Sequence, residues 1–235
     1  MNYTLKEKYN SICSGLKNRQ IKCYLSDFQP KVGQDEALNA ITNFAGDFMS
    51  NKNPTGLLLV GGVGSGKTYL AASLVNYLAE TMELYSYDDY SEEYIDYLKA
   101  DYSWILQNKG VCFIVLSELF EYLKNCYSND ESWKSKRIME HLRKVDLLVL
   151  DDMGAEKTSE WTKELLFNII DYRYNEQLPM IVTTNCVPEE LKEKIGDRNF
   201  DRLREMCALV TVAAESQRET AKINTQEEQS VVITN

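Results

Sequence analysis

Residues Gly61 to Thr68 read Gly-Gly-Val-Gly-Ser-Gly-Lys-Thr, a complete G-x-x-x-x-G-K-T string. The apolar run Gly56-Leu57-Leu58-Leu59-Val60 stands directly before it, and the helix-period stretch Tyr69 to Leu78 directly after it. That strand, loop and helix setting makes a glycine-rich string a phosphate-binding loop. Successive backbone N–H groups can wrap anionic phosphates, and the helix N-terminus adds its positive dipole end. Lys67 is placed to reach the β- and γ-phosphates of a nucleotide, and the Thr68 hydroxyl to ligate Mg²⁺. The candidate phosphate-binding residues are therefore Gly61, Gly62, Val63, Gly64, Ser65, Gly66, Lys67, Thr68 and Tyr69.

Asp151 and Asp152 end the all-aliphatic run Leu147-Leu148-Val149-Leu150. Two carboxylates at the buried end of a strand are costly unless a metal or hydrogen-bond donors satisfy them. Asp151 is the candidate Mg²⁺ ligand, held through water as a hard cation prefers. Asp152 is the candidate for orienting or deprotonating an attacking water. Thr183-Thr184-Asn185 ends the next apolar run, and Asn185 could place that water between a γ-phosphate and Asp152. Further on, Arg198 and Arg202 share a helix face at four-residue spacing. An arginine offered to a neighbouring γ-phosphate stabilises the charge of phosphoryl transfer, but the spacing alone favours a solvated helix face.

These groups need elements that bring them together. Apolar runs at 56–60, 111–116, 146–151, 180–184 and 208–213 read as strands. Periodic stretches at 3–18, 34–49, 69–78, 118–127, 132–143, 159–175, 188–195 and 198–205 read as helices, with Ser117 the expected N-cap of the one after the second strand. Apolar strands alternating with amphipathic helices make an α/β fold, a parallel sheet covered on both faces. Ligands of such folds sit at the C-terminal strand ends, where the polar groups above fall. Tyr90, Tyr94 and Tyr97 recur at helical spacing, so the acidic segment 83–109 reads as a helical insertion. The expected organisation is a short helical arm at 1–30, one domain at 31–224 carrying that insertion, and a fraying polar tail at 225–235.

The 235 residues are 44% apolar and 26% charged, ordinary for a globular protein. No apolar run approaches the ~20 residues of a membrane span, and Met1 to Glu7 lack the apolar core of a signal peptide. A cytoplasmic location without membrane contact is expected. The six cysteines form no C-x-x-C pair and His141 is the single histidine, which argues against a zinc site. Cys112, inside a strand pattern, is expected to be buried. The net charge of −10 speaks against nucleic acid until its distribution is read: residues 80–101 carry −7, the first 32 residues +4 and residues 122–144 +3. Single-stranded nucleic acid could find a local basic track there, although solvated helix faces explain the same charges more simply.

Together the phosphate loop, the string Asp146-Leu147-Leu148-Val149-Leu150-Asp151-Asp152-Met153-Gly154-Ala155-Glu156 and Ile181-Val182-Thr183-Thr184-Asn185 resemble the AAA+ ATPases of the DnaC/DnaI/IstB group. The stretches Glu160 to Tyr174 and Asp197 to Leu203 are similar to that group as well, and the likeness covers roughly residues 25–220. The resemblance implies an ATP-dependent P-loop NTPase of the ASCE type, with strand order 5-1-4-3-2 and a reduced lid. It makes Lys67 and Thr68 Walker A, Asp151 and Asp152 Walker B, and Asn185 sensor 1. It makes Arg202 an arginine finger acting on a neighbouring subunit with Arg198 beside it, and Arg218 the sensor 2 arginine. ATP and Mg²⁺ are the implied cofactors, and self-association into a ring or spiral follows from a finger acting in trans. The helices at about 117–143 resemble the element that contacts single-stranded DNA, which makes Lys124, Lys134, Lys136, Arg137 and Arg143 candidate contacts. Two departures stand out: only about 30 residues precede the core, without a metal cluster, and the 83–109 insertion is unlike typical members.

The function implied first is Mg²⁺-dependent ATP hydrolysis coupled to loading a replicative helicase onto single-stranded DNA. An IstB-like transposition helper and a nucleotide-gated adaptor with little turnover are the alternatives. The short Asp152 carboxylate, where glutamate is commoner, leaves the last open.

Overall fold

The computed structural model describes residues 14–17, 19–50, 52–82 and 110–212. Most of the expected 3–18 helix, the 83–109 insertion, Arg218 and the 225–235 tail lie outside the described residues. A 3₁₀ turn at Leu25–Asp27 leads to α1 (Asp35–Met49), β1 (Gly56–Val60) and α2 (Lys67–Thr81). Then come β2 (Val111–Val115), α3 (Leu116–Ser128), α4 (Ser132–Lys144), β3 (Leu147–Asp151) and α5 (Glu160–Asn175). The chain continues through β4 (Met180–Thr184), α6 (Pro188–Ile195), α7 (Asp197–Met206) and β5 (Cys207–Thr211).

The strands pair in the order β2-β3-β4-β1-β5, all parallel, which is the 5-1-4-3-2 order the resemblance implies. Alternation along each strand splits the core into two layers. Leu58, Leu148, Leu150 and Val182 face one way, onto α3 to α7. Leu57, Leu59, Leu147, Val149 and Ile181 face the other, onto α1 and α2. Register then aligns the strand ends: Val60 lies opposite Thr184, and Val115 opposite Asp151. The loop after β1 and the polar residues after β3 and β4 thus emerge at one edge.

Two local expectations give way. Ser117 is not an N-cap, because β2 passes straight into α3 at Leu116 and the cap position falls to Val115, which has no side-chain acceptor. Ser117 sits inside the first turn. The expected 3–18 helix also does not reach its end: Ser14 and Gly15 form a turn, with Gly15 at φ 84°, and the Ser14 carbonyl accepts from the Phe113 N–H of edge strand β2. A capping box starts α5 instead: Ser159 Oγ accepts from Thr162 N–H at 3.1 Å, and Thr162 Oγ1 from Ser159 N–H at 2.9 Å.

Among the described residues Arg173 is the largest fully buried side chain. Its guanidinium donates to the carbonyls of Leu142, Arg143, Val145, Asp146 and Pro179 at 2.7–3.2 Å. It ties the approaches to β3 and β4 at the sheet edge opposite the polar cluster. Burial pushes its pKa down to about 9, which still leaves it charged at neutral pH. Among the described residues no helix is long and apolar enough to cross a membrane.

Candidate nucleotide site

The loop between β1 and α2 depends on backbone that side chains resist. Gly66 takes φ 99° as the N-cap of α2, and a Cβ there would also crowd Phe28 and Gln34 at 3.3–3.4 Å. Gln34 is fully buried; its Nε2 donates to the Ser65 carbonyl at 2.5 Å, while its Oε1 accepts from Lys31 N–H at 2.8 Å. The segment before α1 thus braces the phosphate loop from behind. Sequence pattern had no means of marking Gln34, since a glutamine ahead of a helix carries no signal for a partner 31 residues away.

Lys67 opens α2 and is 5% exposed. Its Nζ donates to the Gly61 and Gly62 carbonyls, both at 2.8 Å, to Ser65 Oγ at 3.3 Å and to Asn185 Oδ1 at 2.8 Å. Burial lowers its pKa, and the charges of Asp152 and Asp151 oppose that. Asn185 Nδ2 in turn donates to Asp152 Oδ1 at 2.6 Å. The amide therefore turns its oxygen to the cation and its NH₂ to the carboxylate, the one orientation that serves both.

A second circuit runs beside the first. Thr68 Oγ1 donates to Asp151 Oδ1 at 2.9 Å, and Thr183 Oγ1 to the same oxygen at 2.7 Å. Thr183 Oγ1 also accepts from Asp152 N–H at 2.9 Å, so one hydroxyl fixes both acids. Burial raises the Asp151 carboxyl above the ordinary range, with the two hydroxyls pulling it back. Asp152 sits at φ 60°, a left-handed conformation that turns the chain sharply off β3. Gly154 follows at φ 87°, and the Lys194 ammonium on α6 pins its carbonyl at 2.7 Å. Thr184 faces inward and donates to the Met153 carbonyl, so it shapes the strand end rather than the site.

The structure therefore joins Lys67, Thr68, Asp151, Asp152 and Asn185 in one cluster. Gly62 and Val63 are exposed at the loop tip, and Tyr69 turns its hydroxyl away to the Tyr24 carbonyl. The arginines of α7 stand apart. Arg198 is exposed, whereas Arg202 pairs with Asp171 on α5 at 2.6 Å and lies over the Phe167 ring. Of the five basic candidates after β2, Lys136 and Arg137 are exposed, Lys134 pairs with Glu131, and Arg143 donates to the Met139 carbonyl. Lys124 lines a groove of about 840 Å³ between α3 and the start of α5, with Phe120, Tyr127, Lys157, Ser159 and Trp161.

A five-stranded parallel sheet of this order, with a glycine-rich loop on β1, paired acids on β3 and an asparagine on β4, defines a P-loop NTPase of the AAA+ class. The sequence model of the IstB-like ATP binding proteins matches residues 101–225, just over half of the chain. The chain belongs to that family. Its relatives include the replicative helicase loader DnaC of Escherichia coli, 24% identical over 192 residues that cover 81% of this chain and 66% of that protein. The replicative helicase loader DnaI of Bacillus subtilis is 28% identical over 170 residues, which cover 70% of this chain and 45% of that protein. A crystal structure of the DnaC helicase loader superposes with a TM-score of 0.64 at 26% identity, covering 84% of this chain and all of that one. The chain thus spans about two thirds of the length of the DnaC relative.

Proposed function

We propose that this protein is an ATP-hydrolysing helicase loader, which delivers a replicative helicase to single-stranded DNA as an assembly of several copies. The observation that supports hydrolysis is the pair of circuits that join Lys67 to Asp152 through Asn185, and Thr68 to Asp151 beside Thr183, and the likeness to the loaders DnaC and DnaI supports the helicase as cargo. Phosphates entering the loop offer Lys67 stronger acceptors than the Gly61 and Gly62 carbonyls. As Lys67 turns to them it releases Asn185 Oδ1, which is then free to hold a water that Asp152 orients and deprotonates. Asn185 is in this way the link between phosphate occupancy and the catalytic acid.

The metal donors fit as well. A threonine hydroxyl and a buried carboxylate whose partners are hydroxyls form an all-oxygen set suited to Mg²⁺. Thr68 and Asp151 would hold the ion, which would supply charge neutralisation for phosphoryl transfer. Arg202, supplied by a neighbouring copy with Arg198 beside it, would complete the site from outside. Arg218 would belong to the lid.

Single-stranded DNA is assigned to the groove between α3 and α5. Tyr127 and Trp161 meet edge to face at 6.2 Å, Tyr127 is 49% exposed, and Lys124 and Lys157 flank them. An exposed tyrosine with a half-buried tryptophan beside it and two lysines offers unpaired bases a stacking face and their phosphates a counter-charge, with Glu121 and Glu156 on the same walls. Tyr127→Ala should weaken binding of an oligothymidylate about ten- to a hundredfold, at about 1–3 kcal/mol per stacked base. Fluorescence anisotropy at fixed salt measures this, and an unchanged affinity would remove the groove from the DNA path.

A second reading, consistent with membership of the IstB-like ATP binding proteins, is a transposition helper acting on duplex DNA. Affinity capture from host lysate separates the two, with Asp152→Asn and ATP as bait and Lys67→Ala as control. A hexameric replicative helicase held only by the ATP-bound bait supports loading. Capture of a transposase moves the assignment to transposition, and absence of any helicase ends the loader reading.

A further inference from the structure

We infer that Asp171 is a positioning residue for Arg202, holding its guanidinium ready for the nucleotide of a neighbouring copy. The inference rests on the reading of Arg202 as an arginine acting in trans. Phe167, Asp171 and Tyr174 recur along one face of α5 at four- and three-residue steps. Arg202 and Glu205 occupy the facing side of α7, three residues apart. The carboxylate of Asp171 meets Arg202 Nη2 at 2.6 Å, and both side chains are partly buried, at 31% and 27% exposed. The guanidinium lies over the Phe167 ring at 4.9 Å and near the Tyr174 ring at 5.8 Å. Tyr174 is itself fixed, its hydroxyl donating to Glu205. Arg202 Nε is buried without a hydrogen-bond acceptor, so Nη2 is the nitrogen that Asp171 holds.

Such an arrangement is not needed for stability alone, since an arginine on a helix surface can extend into water. A free arginine carries substantial rotamer entropy. Here that freedom is lost on folding rather than on assembly, and the group that arrives at a neighbouring phosphate is already oriented. Arg198, one turn earlier on α7, is exposed and makes no ion pair among the described residues. The two arginines therefore differ in preparation, and Arg202 is the prepared one.

The test uses mixtures of two full-length variants. One copy carries Arg202→Ala and keeps its own phosphate loop; the other carries Lys67→Ala and keeps its arginine. ATP turnover in the mixture should exceed that of either alone, because the Lys67→Ala copy donates Arg202 to its neighbour's nucleotide. Adding Asp171→Ala to the donating copy should cut the regained turnover about tenfold or more, the scale of a misplaced catalytic group. Adding it to the Arg202→Ala copy should change turnover less than twofold, because there Asp171 has no arginine to position. Asp171→Asn in the donating copy, which keeps the shape and loses the charge, should fall in between. A mixture that regains nothing overturns the trans reading itself. A mixture that regains turnover but is indifferent to Asp171→Ala, or rises with it, overturns the positioning role and leaves Asp171 as packing or as a restraint. Misfolding would lower turnover in both placements, and so is told apart.

Discussion

Lys67→Ala will lose nucleotide binding while the free protein keeps its fold. The ammonium is nearly buried and shares its three N–H donors among four acceptors, on Gly61, Gly62, Ser65 and Asn185. All four acceptors are neutral, and burial already lowers the pKa of the amine. Removing a desolvated cation from such a setting costs the fold little, because the desolvation penalty disappears with it. Removing it from a bound triphosphate is different, since truncating one partner of a close charge pair costs about 2–5 kcal/mol. Affinity for ATP should therefore fall on the order of a hundredfold or more. Thermal unfolding reads both halves at once. A ligand at a hundred times its Kd stabilises by about 2.7 kcal/mol, which in a chain of this size is roughly 5–10 °C in Tm. The wild-type protein should show that rise with ATP and the variant about 1 °C or less, from a similar starting Tm. An undiminished rise would mean that Lys67 does not touch the phosphates.

How far the sequence reveals this arrangement depends on the range of each interaction. The phosphate loop is legible because its eight residues and the strand before it act within one turn of chain. The order of the sheet is legible through the resemblance, and the acids and Asn185 through their position at the ends of aliphatic runs. What joins them is not. Thr183 fixes both acids through one hydroxyl, yet a threonine near a strand end is an ordinary residue until the register of β3 against β4 is known. Arg173 was part of the family-like stretch with no role attached, and only its five carbonyl partners show that it is a staple. Spacing made Arg202 a solvated residue; the structure pairs it with Asp171, 31 positions away, which no helical periodicity reaches. Ser117 failed for the opposite reason. Its residue type suits a cap, but β2 runs into α3 with no intervening turn, so the cap position falls two residues earlier.

Asp152→Asn will separate binding from hydrolysis. Its Oδ1 accepts from Asn185 at 2.6 Å, and its backbone N–H donates to Thr183 Oγ1, a bond that the substitution leaves in place. Asparagine is the informative replacement because the position has φ 60°, a region that asparagine tolerates and most residues resist. Its amide can present an oxygen to Asn185, so the circuit to Lys67 survives in shape. The negative charge is what disappears, and with it the capacity to take a proton from water. Asp151, Thr68 and the phosphate loop are unchanged, so ATP affinity should stay within a few-fold of wild type. Removing a like charge beside Asp151, whose carboxyl Asp152 helps to raise, should make the site no less receptive to a nucleotide and its cation. Turnover should fall by about a hundred- to ten-thousandfold, the range of general-base contributions. Single-turnover hydrolysis beside equilibrium binding of a fluorescent ATP analogue measures the two quantities separately. Normal hydrolysis in this variant would exclude Asp152 as the water-activating group. The short carboxylate would then be a structural partner of Asn185, and the adaptor reading, in which nucleotide gates contacts with little turnover, would gain what the loader reading lost.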